Sequence, residues 1–149
     1  MDDIGGVSVL LVEDNEIDVE VTKRVLAQAG IAVTLQVARD GADAIDALLL
    51  GRERSQLPRL VLLDLGLPGI DGPEVLRRIK GNAELCAIPV AVLTGQGGSR
   101  AMMECMALGG NMYFVKPITP PEAARILRAV EQYWALMEQL AARRTQETA

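Results

Sequence analysis

Short apolar runs rich in β-branched residues recur along the chain, each bounded by glycine, proline or a side chain that hydrogen-bonds its own backbone. Val7 to Val12 reads VSVLLV, and similar runs lie at Val33 to Ala38, Leu60 to Leu63, Val90 to Leu93 and Met112 to Val115. Apolarity that is continuous rather than alternating predicts strands buried on both faces of a parallel sheet. Between these runs, apolar residues return at three- and four-residue steps: Val19, Val21, Val25 and Leu26, then Ala44, Ile45, Leu48 and Leu49, then Val75, Leu76 and Ile79. That spacing gives one apolar stripe per helix. A methionine-rich stretch from Ala101 to Leu108 predicts a short fourth helix, and Pro121 to about Ala142 a long fifth. The fifth opens on proline, whose missing N–H is harmless in a first turn. Gly51 to Arg59 reads as an extended polar loop.

Strand and helix alternate throughout, which predicts an α/β fold with a doubly wound, five-stranded parallel sheet. The expected organisation is a single domain over residues 1–142 and a polar C-terminal tail, 143–149, that frays. In the fifth helix the stripe of Ile126, Leu127, Val130, Trp134, Met137 and Ala141 runs beyond what a small sheet covers. Its far end therefore either faces a partner or folds back on its own domain.

Composition narrows the function. A chain of 149 residues, half of them hydrophobic and 23% charged, suits one globular domain. The net charge of −5 opposes attraction to phosphate backbones and anionic lipid, so direct nucleic-acid binding is not expected. No apolar run approaches the roughly 20 residues of a membrane span, and the start MDDIGG is acidic where a signal peptide is basic. A cytoplasmic protein without membrane contact is the expectation. Cys86 and Cys105 lack metal-type spacing and read as buried thiols without a disulfide. There is no histidine, which removes Ser-His-Asp triads, Cys-His pairs and the usual zinc ligand sets. Chemistry has to run on carboxylates, hydroxyls and lysine.

Such residues collect at one end of the predicted strands: Glu13 and Asp14 after the first, Asp64 after the third, Thr94 after the fourth and Lys116 after the fifth. In open α/β sheets ligands bind at that edge. Singly, each has an ordinary reading, with Asp14 as a helix cap, Thr94 closing a turn and Lys116 in solvent. Together the acids repel, by roughly 4 kcal/mol per pair at ~4 Å and an effective dielectric of about 20. A hard cation with oxygen ligands offsets this best, and Mg²⁺ characteristically joins carboxylates to phosphate oxygens. Lys116 adds a mobile point charge for phosphate. Asp64 then has the makings of a nucleophile that forms an acyl phosphate, with Thr94 donating to the new group and Gly95 leaving room for its entry. Neither GQGGSR nor GGVSVL has the glycine spacing of a P-loop or dinucleotide site.

The segments VLLVEDN, LLDLGLPGIDG, VLTG and YFVKP resemble, in order and spacing, the four landmark segments of response-regulator receiver domains, and the likeness spans roughly Val7 to Val130. It implies a single-domain response regulator of a two-component phosphorelay, which accepts a phosphoryl group from a histidine kinase and loses it slowly. By that resemblance Glu13, Asp14 and Asp64 form the acidic pocket, the Gly66 carbonyl completes a Mg²⁺ site, Thr94 and Lys116 contact the phosphoryl group, and Tyr113 is an aromatic switch. It also implies a CheY-like strand order 2-1-3-4-5 and a cis Lys116–Pro117 bond.

The polar loop after the second helix and the EQYW segment are similar to stand-alone regulators paired with bacterial and cyanobacterial phytochromes. This implies a bacteriophytochrome as the kinase and a homodimer through the last helix, with Tyr133, Trp134, Met137 and Leu140 in contact. The signal would then pass to a downstream protein or a phosphotransfer protein. Two departures stand out. Gly66 occupies a position where the family often carries a side chain, and Gly97 and Gly98 predict a mobile loop. A haloacid-dehalogenase-type hydrolase would need a second aspartate where Gly66 stands. The alternative from another class is a degenerate receiver that acts only as an interaction module.

Overall fold

The computed structural model describes residues 6–95 and 99–148. The acidic start and the expectation for Gly97 and Gly98 lie outside the described residues. Five parallel strands, β1 (Val7–Val12), β2 (Val33–Ala38), β3 (Leu60–Asp64), β4 (Val90–Thr94) and β5 (Met112–Val115), form one sheet in the order β2-β1-β3-β4-β5. This is the order that the receiver resemblance implied. The helices are α1 (Glu16–Ala27), α2 (Gly41–Glu53), α3 (Gly72–Lys80), α4 (Ser99–Ala107) and α5 (Pro120–Thr148).

Side chains alternate across the sheet, so each central strand feeds two cores. Leu10, Val12, Val61, Leu63, Val90 and Val92 point to one face, where Ala44 and Leu48 of α2, Val75, Leu76 and Ile79 of α3 and Cys105 of α4 cover them. Val7, Val9, Leu11, Leu60, Leu62, Ala91 and Leu93 point to the other, against Val19 and Leu26 of α1 and Ala123, Ile126, Leu127 and Val130 of α5. All of β3 and β4 is buried, as continuous apolarity predicts. The expectation of five fully buried strands fails at the sheet edges. In β2, Thr34 and Gln36 are exposed between half-buried neighbours, and in β5 Val115 is exposed. An edge strand has a neighbour on one side only, so the flanking helices cover it incompletely.

Element ends depart from the sequence reading by the widest margin at α2 and α5. Helix α2 continues through Gly51 to Glu53, which shortens the polar loop. The Gly51 carbonyl accepts from the Gln56 N–H at 2.7 Å, and a Cβ at Gly51 would lie 2.9 Å from the Gln56 oxygen. This glycine lets the returning chain pass close to the helix rather than ending it. Helix α5 continues to Thr148, so the segment expected to fray is helical. No glycine or proline interrupts it, and Arg and Gln are good helix formers.

Tyr133 and Trp134 tie α5 to its own domain. The Tyr133 hydroxyl donates to the Ala87 carbonyl at 2.6 Å and Trp134 Nε1 donates to the Arg59 carbonyl at 2.8 Å. The Arg59 guanidinium also lies 5.8 Å from the Trp134 ring. Both rings are half-buried, with their polar atoms satisfied within the chain. Met137 is half-buried, and Leu136 and Leu140 remain exposed beyond them. Cys105 is a buried free thiol, whereas Cys86, expected to be buried, is exposed in the turn before β4. Among the described residues no helix is long and apolar enough to cross a membrane.

Candidate functional site

Parallel register brings the strand ends level: Val12 pairs with Leu63, Asp64 with Leu93, and Thr94 with Val115. The residue that ends or follows each of four strands is thereby delivered to one edge. Glu13, Asp64 and Thr94 are buried there, at 1%, 4% and 7% exposure, and Asp14 faces solvent. Asp14 is not the helix cap. Asn15 takes that role, its Oδ1 accepting from the N–H groups of Ile17 and Asp18 at 2.9 and 3.0 Å. The Asp14 carboxylate is left for the cluster, in which one oxygen each of Glu13, Asp14 and Asp64 lies within 4.8 Å of the others.

Lys116 arrives across the sheet, at the cis Lys116–Pro117 bond. Its ammonium donates to Glu13 Oε1 at 3.1 Å and to Asp18 Oδ2 at 2.9 Å, and pairs with Asp64 Oδ1 at 3.3 Å. Burial opposes its charge, but the bonds to Asp18 and Glu13 and the field of Asp64 outweigh that and raise its pKa. Glu13 goes the other way. Burial pushes its carboxyl up to about 7 and the charge of Asp64 adds to this, with Lys116 and the Asn15 N–H only partly compensating.

Three carboxylates thus share one ammonium, Asp14 joins two of them in the acidic cluster, and the most buried, Glu13, resists ionisation. The donor set is all oxygen, negatively charged in excess, and open to water at Asp14. These residues fit a hard divalent cation, which would sit among Glu13, Asp14 and Asp64 and supply the missing positive charge. Gly66 lies beside Asp64, its N–H donating to Asp64 Oδ1 at 3.2 Å. A Cβ there would stand 3.9 and 4.0 Å from the two Asp64 oxygens, an ordinary contact. The approach to the carboxylate is therefore bare of side chain on this side.

Thr94 ends the strand next to Asp64. Tyr113 is half-buried on β5, packed against the core that holds Cys105, with its hydroxyl donating to the Gly110 carbonyl at 2.8 Å. Asp18 is the residue that sequence reading missed. It lies in the first turn of α1, where an acidic side chain is expected for the helix dipole alone. Its distance from Asp14, four residues, was the available signal.

Residues 9–128 match the response regulator receiver domain. The chain belongs to that family. Among relatives of this receiver, the probable methanogenesis regulatory protein FilR2 of Methanothrix harundinacea is 39% identical over 128 residues, covering 85% of this chain and 82% of that one. Response regulator Rcp1 of Synechocystis is 36% identical over 128 residues, covering 85% and 87%. The solved Mn²⁺-bound form of Rcp1 superposes with a TM-score of 0.67 over 86% of this chain and 94% of that one. The bacteriophytochrome response regulator AtBRR superposes with a TM-score of 0.71 at 37% identity, covering 83% and 94%. The receiver thus resembles stand-alone regulators, as the phytochrome-type segments implied.

Proposed function

We propose that this receiver accepts a phosphoryl group from a histidine kinase onto Asp64, with Mg²⁺ bound by Glu13, Asp14, Asp64 and the Gly66 carbonyl, and changes its partner binding in response. The observation that carries this reading is the convergence of Asp64 Oδ1, 3.3 Å from the Lys116 ammonium, with an oxygen-only acidic cluster. An Asp64 carboxylate oxygen attacks phosphorus, the bond from phosphorus to the kinase histidine breaks, and the imidazole leaves with a proton taken from solvent. Mg²⁺ held by those residues would supply charge neutralisation for the incoming phosphoryl oxygens. Lys116 leans toward the new group, and the Thr94 hydroxyl donates to it. Attack of water on phosphorus breaks the bond to the Asp64 oxygen and releases inorganic phosphate, and the bare approach at Gly66 leaves that water unassisted by a side chain there.

The added charge, nearly two units, draws Thr94 inward. Tyr113 follows as the switch that reshapes the outer face of β5. The response then passes to a downstream protein or a phosphotransfer protein, in the cytoplasm and without nucleic acid or membrane. Domain organisation follows the same reading, with the receiver ending near residue 142 and the helical remainder serving as an extension. A homodimer through the last helix rests on Met137 and Leu140, joined by exposed Leu136, beyond the docked Tyr133 and Trp134. Likeness to AtBRR supports a bacteriophytochrome as the donor kinase.

Incubation with radiolabelled acetyl phosphate and Mg²⁺ tests the core of this. Label is expected on the wild type and not on Asp64→Asn, and a wild type that takes none is a degenerate receiver acting only as an interaction module. Transfer from an autophosphorylated bacteriophytochrome tests the kinase assignment separately.

A further inference from the structure

Three carboxylates share the Lys116 ammonium, and they differ in depth. The side chains of Glu13 and Asp64 are 1% and 6% exposed, that of Lys116 is 17% exposed, and that of Asp18 is 37% exposed. The ammonium stands at the mouth of the pocket, between a buried pair that belongs to the phosphoryl chemistry and an outer carboxylate that does not. The contact to Asp18, at 2.9 Å, is the shortest of the three. Asp18 is also held firmly, since its backbone N–H is bonded to Asn15 Oδ1 within the capped first turn of α1.

Resting on the function proposed above, we infer that Asp18 is a positioning residue for Lys116, holding the ammonium at the pocket mouth in the resting protein and competing for it with the phosphoryl group on Asp64. Phosphorylation adds nearly two negative charges on the inner side of that ammonium. Lys116 then moves inward and gives up its outer partner. Breaking the Asp18 contact opposes activation, so Asp18 sets how readily the loaded state forms. A helix-dipole role for Asp18 predicts no such dependence, because it acts on α1 and not on Lys116.

Beryllofluoride, which mimics the phosphoryl group on a carboxylate, is the probe, titrated by calorimetry in excess Mg²⁺. Asp18→Asn keeps the shape and removes the charge, and is expected to bind beryllofluoride about two- to fivefold more tightly, the span of a partly exposed ion pair. Asp18→Glu keeps the charge and is expected to return toward the wild-type value. Glu16→Gln removes a carboxylate from the same helical turn, one that pairs with Arg39 instead, and is expected to change nothing. Nitrogen-15 NMR of the Lys116 ammonium gives a second reading: its protons exchange faster with water in Asp18→Asn. Equal or weaker beryllofluoride binding by Asp18→Asn overturns the inference, as does unchanged Lys116 exchange, and so does a Glu16→Gln effect of the same size. A wild type that binds no beryllofluoride overturns the phospho-acceptor reading itself, so the two failures are distinguishable.

Discussion

Glu13 is almost fully enclosed, and its carboxyl is pushed up to about 7 by burial and by the neighbouring Asp64 charge. A group in that position gains most when a cation is added, because ionisation no longer has to be borne by Lys116 alone. Mg²⁺ should therefore raise the thermal midpoint of the folded protein, by the equivalent of about 2.7 kcal/mol at a hundredfold excess over its dissociation constant. Asp14→Asn should lose most of that gain, and scanning fluorimetry with and without Mg²⁺ reads both. A midpoint indifferent to Mg²⁺ would remove the metal from the account. At this scale the sequence was informative where chemistry coincides with strand ends: Glu13, Asp14, Asp64 and Lys116 each end or follow a strand and meet as expected. Asp18 was hidden because its partner lies 98 residues away and an acid in a first helical turn already has a local explanation.

Among the elements, the start of α2 packs tightly against the segment between β3 and α3 and the first turn of α3. At Gly41, the first residue of α2, an added Cβ would stand 2.6 Å from the Ile70 carbonyl oxygen and 2.7 Å from Val75 Cγ2. Backbone cannot yield as a flexible side-chain tip can, so Gly41→Ala should cost about 1–3 kcal/mol. Gly66→Ala, with ordinary contact distances only, should stay within about 0.5 kcal/mol of wild type. Urea denaturation of the two variants checks the contrast, and equal losses would contradict the packing described. Strand positions were legible because buried parallel strands carry an unbroken apolar signal, as in VLLV of β1 and LVLL of β3. The edges and ends were less so. Periodicity does not report which strands lie outermost, and Gly51 carries the same letter whether it stops a helix or admits a neighbouring chain.

For the whole molecule, the fold places its chemistry at one edge of the sheet, while α5 buries its first half in the core and leaves exposed leucines beyond Trp134. Leu136 and Leu140 are 54% and 43% exposed on a helix otherwise tied down by Tyr133 and Trp134. The proposed homodimer predicts concentration-dependent sedimentation that Leu140→Glu shifts to monomer, while a wild type that stays monomeric across the concentration range would exclude it. The proposed switch depends on Asp64 being the residue that receives phosphorus. Borohydride reduces an aspartyl phosphate to homoserine, so the protein is loaded with acetyl phosphate and Mg²⁺, reduced, digested and sequenced by tandem mass spectrometry. Homoserine at position 64 alone is the expected result, and homoserine elsewhere, or none at any position, would contradict it.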